Sequence, residues 1–129
     1  MNLLVLLRYL QLYTHIAHNV LGGQTFFQDH EFLGELYKGY EDDYDSVVER
    51  MIGNDVDVDL VEVQKKAVKD LENPESYNEC FETILKCEVD LCDAIEKIAP
   101  KASQGTMQML GNIADKSEMR QYKLKQRLK

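Results

Sequence analysis

Basic residues are scarce in this chain of 129 residues: 15 Lys and Arg stand against 23 Asp and Glu, a formal net charge of −8. Nonspecific affinity for nucleic acid comes from clustered Lys and Arg, so this balance argues against a duplex-coating protein and makes cations the more natural partners. The three cysteines are odd in number and show no pairing pattern, which fits a reducing compartment, here expected to be the cytoplasm, better than a secreted disulfide scaffold. No apolar run reaches the roughly eighteen residues a membrane helix needs, which predicts no membrane span. "MNLLVLLRYL" is interrupted by Arg8 and lacks the flanks of a targeting segment, so it reads as a helix. No segment alternates as a strand does, and no internal repeat or low-complexity stretch appears.

What is present is helical periodicity, in a length suited to a single domain over residues 1–129 with a core of its own. The only two prolines, Pro74 and Pro100, fall at breaks in that periodicity, and each is expected to open a helix. The chain then divides into a first helix near 2–19, a turn at Gly22-Gly23, a second helix over about 25–52, a third over about 75–98 and a fourth over about 103–128. "TFFQ" from Thr25 and "SYNE" from Ser76 have the spacing of a capping box. In the third helix Tyr77, Ile84, Leu91 and Ile98 repeat every seven residues, with Cys80, Cys87 and Ala94 between them, the pattern of an antiparallel bundle. The long connection between the second and third helices holds "DLVEVQKKAVKDLEN", which predicts a short helix opened by Asp59. The expected fold is all-α: a four-helix bundle with one long crossover carrying a short extra helix, the ferritin-like connectivity.

The second helix has a buried stripe of Leu33, Tyr37, Tyr40, Tyr44, Val47 and Met51. Beside it Glu41, Asp45 and Glu49 recur every four residues, stacking three carboxylates along one line. Like charges at that spacing cost a helix a few tenths of a kcal/mol per pair. A bound cation offsets the repulsion; so does plain solvation. His30 lies on the side of Leu33 and Tyr37 and should be partly buried, where an imidazole is hydrogen-bonded or a metal ligand. His30 and Asp45 are fifteen residues apart on one helix, about 22 Å at 1.5 Å per residue. They can share a metal only if two copies pack these helices antiparallel about a two-fold axis. Mixed imidazole and carboxylate ligands suit iron, zinc or manganese better than calcium.

The order in "HNVLGGQTFFQDHEF" and "DSVVERMIG", with His18, a glycine turn, Phe26-Phe27, His30, then Asp45, Glu49 and Arg50, resembles the Dps branch of the ferritin superfamily, the miniferritins named DNA-binding proteins from starved cells. The resemblance is strongest from Tyr13 to Gly53 and collinear beyond. It implies a hollow homo-oligomer, a dodecamer, that oxidises Fe(II), preferentially with hydrogen peroxide, and stores ferric iron. It also implies that His18 and His30 of one subunit and Asp45 and Glu49 of its neighbour are the metal ligands. The chain departs from the family pattern in three ways. Gly34 stands where the family commonly has an Asp, and Asn19 stands where a Trp often follows the first histidine. There is no Lys-rich N-terminal extension of the kind that binds DNA, so DNA binding is expected to be weak. Gly34 keeps open an alternative, a ferritin-like structural or partner-binding bundle with a weak metal site.

Other polar groups have plainer readings. His15, one turn before His18, is an outer neighbour of the site or an exposed histidine, and Glu41 is a possible additional ligand. Cys80, Cys87 and Cys92 lack zinc-ligand spacing and read as small apolar fillers. "DVDVD" at Asp55, Asp57 and Asp59 imitates an EF-hand loop, but Leu60 replaces the required glycine and Lys66 the closing Glu, leaving turn and cap duty. The basic tail "KLKQRLK" suits the end of a helix, where the macrodipole favours cations.

Overall fold

The computed structural model describes residues 2–129, and every regular element among them is helical. They are α1 (Leu3–Val20), α2 (Phe26–Gly53), α3 (Leu60–Val68), α4 (Tyr77–Ile98), a 3-10 turn at Ala99–Lys101, and α5 (Gln104–Arg127). The four long helices are those the sequence predicts, each within about two residues of the expected ends, the tolerance of any helix boundary, and the short crossover helix forms after Asp59 but stops at Val68, short of the end of its stretch. None is long and apolar enough to cross a membrane.

The chain divides into two compact units, Met1–Cys80 and Phe81–Lys129. In the first, α1 and α2 run antiparallel: Arg8 lies over the Tyr44 ring, His15 stacks on Tyr37, and His18 stacks on His30. α1 buries Leu3 through Leu7 consecutively, the mark of a helix covered on more than one face. Its buried Thr14 donates to the Leu10 carbonyl at 2.7 Å, so the hydroxyl carries no desolvation penalty. The α1–α2 turn uses Gly23 at φ 126, left-handed backbone that favours glycine. Tyr77 ties the turn down by donating its hydroxyl to the Leu21 carbonyl at 3.0 Å. In the second unit the C-terminal part of α4 pairs with α5 through a buried polar cluster. Arg120 Nε donates to Glu88 Oε2 at 2.7 Å, and Ser117 donates to the Glu88 carbonyl at 3.3 Å.

Several local expectations hold and several do not. Asp59 caps α3 through the Glu62 amide, and Ser76 caps α4 through the Glu79 amide, each at 3.1 Å. Thr25 is the N-cap of α2 but makes no side-chain cap bond; its hydroxyl donates to Asp29 Oδ2 at 2.6 Å instead. The capping box at "TFFQ" is therefore not formed, because a buried carboxylate competes for the hydroxyl. Neither proline opens a long helix. Pro74 lies three residues ahead of α4, and Pro100 sits in the 3-10 turn, while Ser103 caps α5. The seven-residue repeat of α4 also drifts: Tyr77, Ile84 and Leu91 are buried, but Ile98 is 42% exposed and Cys87 only half-buried, with Phe81, Glu88 and Ile95 inside. A straight helix falls behind a seven-residue repeat by about 20° per heptad.

Candidate metal centre

His18 ends α1 and His30 begins α2, so the five-residue turn between the helices brings the two imidazoles face to face. Their ring centroids are 3.7 Å apart with planes inclined by 17°. His18 Nδ1 lies 2.8 Å from the His30 carbonyl oxygen, and His30 Nδ1 lies 2.8 Å from the His18 carbonyl oxygen. A carbonyl oxygen only accepts, so each Nδ1 carries the proton and donates. The His18 carbonyl is one of the last four of α1, which have no amide donor within the helix; His30 supplies one. With Nδ1 committed in this way, Nε2 is the ring nitrogen left to serve as a ligand. Metal-binding histidines are commonly oriented in this way, by a carbonyl on the other nitrogen.

Gly34 lies under the pair, one turn after His30. A Cβ there would stand 3.2 Å from His18 Cε1 and 3.4 Å from its Nδ1. The absent side chain is what lets the His18 ring lie against α2, a role sequence spacing signals only in that Gly34 and His30 are four residues apart. Rings close the site on both sides. Phe26 stacks on His30 at 4.6 Å, and Tyr37 meets His18 edge-on at 5.3 Å. His15 is exposed and stacks on Tyr37 at 4.1 Å, its centroid 6.4 Å from that of His18.

The carboxylates are placed differently. Glu41, Asp45 and Glu49 are all exposed along α2, and the helix carries Asp45 about 22 Å from His30. Among the described residues, no three His, Cys, Asp or Glu side chains of one chain come together to hold a metal ion. One chain thus offers two separated donor sets, an imidazole pair at one end of α2 and a carboxylate line toward the other. Sequence reasoning missed the buried carboxylates of Asp29, Asp43 and Glu88. Asp29 was signalled only by Thr25 four residues before it, and Glu88 by nothing local. The cysteines behave as fillers: burial pushes the Cys80 thiol up to about 12 and the Cys87 thiol up to about 11. Asp59 does cap duty, and Asp55 takes a left-handed turn at φ 59.

A family model described as the ferritin-like domain matches residues 2–129. Among solved structures, the crystal structure of Dps92 from Deinococcus radiodurans is similar, with a TM-score of 0.66 and 24% identity, over 96% of this chain and 79% of that one. At this identity the likeness concerns the fold, a ferritin-like helical bundle of the Dps type. No curated protein matches the chain.

Proposed function

Because the chain belongs to the ferritin-like domain family, we propose that it is a miniferritin, a single ferritin-like domain that binds and oxidises Fe(II) and holds the ferric product inside a homo-oligomer. The observation that carries this reading is the reciprocal hydrogen bonding of His18 and His30, which holds two Nε2 lone pairs ready on adjacent rings. An imidazole pair alone is a weak iron site. Asp45 and Glu49 of a second copy complete it when two α2 helices pack antiparallel about a two-fold axis, with Glu41 and His15 as flanking groups. Nitrogen and carboxylate donors together suit iron, and zinc or manganese would compete for the same ligands in vitro. Hydrogen peroxide is the oxidant: two Fe(II) each give one electron, the O–O bond breaks, and both oxygens end at the oxidation level of water. Acidic residues outnumber basic ones, so the protein should not retain duplex DNA in a gel shift at about 150 mM salt.

Anaerobic Fe(II) titration followed by hydrogen peroxide tests the reading through the absorbance of the ferric product. Ferric iron should form faster than in protein-free buffer, at two Fe(II) per peroxide, and should elute with the protein on gel filtration. Gly34 favours a second reading, since it contributes no ligand directly beneath His18. Ferric formation no faster than in buffer selects that reading, a structural or partner-binding bundle.

A further inference from the structure

The large apolar side chains that α2 leaves exposed are Phe27 and Ile52, 82% and 56% accessible, one near each end of the helix. Between them lies the only lysine of α2, Lys38, whose ammonium stands 5.9 Å over the Tyr37 ring and forms no ion pair among the described residues. These three belong to one stripe. From Phe27 it passes through His30, Gly34 and Lys38, then Glu41, Asp45 and Glu49, to Ile52, in steps of 3, 4, 4, 3, 4, 4 and 3 residues. At 3.6 residues per turn such steps hold every position within about 100° of the helix circumference. The spacing reads the same from either end, and the chemistry is complementary: apolar Phe27 matches apolar Ile52, His30 matches Glu49, and the cation Lys38 matches the anion Glu41. We propose that this stripe docks antiparallel on the same stripe of a second copy, and that two Lys38–Glu41 ion pairs across the two-fold axis fix the register and select the partner. The proposal rests on the shared-site reading above and deepens it.

A two-fold axis sets one residue of a chain against a second residue of its copy, and that second residue against the first. A stripe with palindromic spacing therefore meets its own complement along its whole length. Lys38 and Glu41 straddle the axis, while His30 and Gly34 lie opposite Glu49 and Asp45 of the second copy. Gly34 is buried under the His18 ring, so an Asp45 arriving opposite it meets His18, as Glu49 meets His30. One register thus serves the ion pairs and both histidines. Docking also removes Phe27 and Ile52 from water. Glu41, Asp45 and Glu49 are all exposed, and a face bearing only carboxylates would repel its copy; Lys38 supplies the opposite sign. A slip of one helical turn sets Glu41 against Asp42 in one direction and Lys38 against Tyr37 in the other, and parts Phe27 from Ile52 in both. Like charges set together across an interface suppress the wrong pairing.

The test uses full-length chains and reads dimer dissociation by analytical ultracentrifugation. Lys38→Glu and Glu41→Lys should each weaken self-association by about tenfold or more, because each sets like charges together twice across the axis. Mixing the two variants restores both attractive pairs between unlike chains but leaves like charges three residues apart within each chain. A mixed dimer close to wild-type strength therefore reports contact between copies. Lys38→Glu mixed with Glu82→Lys, at an exposed site on α4, should stay weak. Wild type gives a second reading without substitution: ordinary and 15N-labelled chains, mixed before assembly and coupled with a carbodiimide, should yield a Lys38–Glu41 crosslink between the two isotopes by mass spectrometry. Single variants as tight as wild type, no rescue on mixing, equal rescue by Glu82→Lys, or Lys38 crosslinked between copies only to other carboxylates overturns this register. Fe(II) oxidation faster than in buffer then leaves the ferroxidase reading standing. Copies that pair as proposed without oxidising Fe(II) support this surface and overturn that reading.

Discussion

His18 and His30 each donate Nδ1–H to the other's carbonyl oxygen at 2.8 Å, so two rings twelve residues apart lock one another's tautomer and orientation. The arrangement needs no other side chain and is complete within one chain. It presents an imidazole pair and nothing more, so the proposed iron site draws its carboxylates from a second copy.

Complementation tests that origin. The variants His18→Ala with His30→Ala and Asp45→Ala with Glu49→Ala should each be inactive as homo-oligomers. A verified mixed dimer regains one intact site of two, and about half the wild-type Fe(II) oxidation per dimer. Full activity in either variant alone removes these residues from the site. Dead mixed dimers rule out the arrangement between subunits.

The proposed shared site requires assembly. Light scattering at micromolar concentration should report at least a dimer of the 14.9 kDa chain and, for a closed cage, a dodecamer. A monomer mass excludes both the shared site and the cage.

Gly34→Ala separates stability from function. In a helix interior the change stabilises by roughly 0.5–1 kcal/mol, yet the new Cβ would lie 3.2 Å from His18 Cε1 and push the ring aside. Displaced ligand orientation lowers metal affinity by about tenfold or more. Titration should show weaker Fe(II) binding, while calorimetry reads whether the helical gain or the loss of the His18 contact to the His30 carbonyl wins. Unchanged Fe(II) affinity would show that the His18 position is irrelevant to binding.

Glu88 is fully buried and Arg120 nearly so, with 2.7 Å between Nε and Oε2. Glu88→Ala leaves a buried guanidinium without its carboxylate and should cost about 3–5 kcal/mol in urea unfolding. Replacing both residues by methionine should cost less than the two single changes added together. Additive losses would mean that the pair is not coupled.

Alkaline pH should act through the buried thiols. Burial raises Cys80 from 9.0 to about 12 and Cys87 from 9.0 to about 11. A raised value in the folded state means stability that is complete below pH 9 and lost as pH climbs through the folded values, because the unfolded chain ionises first. Unfolding free energy should therefore fall between pH 9 and 12, and less steeply in Cys80→Ala than in wild type. Equal slopes would remove Cys80 as a cause.

The helices were legible because their signals are local. Apolar residues three and four apart, glycine at the turn, and Asp59 or Ser76 ahead of an acidic third position act within one or two turns of chain. The closeness of His18 and His30 was expected through the resemblance to the Dps pattern, and the five-residue turn keeps the two helix ends near each other. Periodicity failed where the helix drifted from the seven-residue repeat. From Tyr77 to Ile98 the lag reaches about 60°, enough to turn Ile98 outward and Glu88 inward. A carboxylate counts as surface in any such pattern unless its partner is known, and that partner, Arg120, stands 32 residues away on another helix. The sequence by itself thus determined which segments are helical and, through its likeness to the Dps pattern, which histidines were expected to meet. Tertiary packing alone decided that their Nδ1 atoms face carbonyls, that Gly34 makes room for His18, and that Glu88 is buried, because each depends on a group brought close by folding rather than by the order of residues.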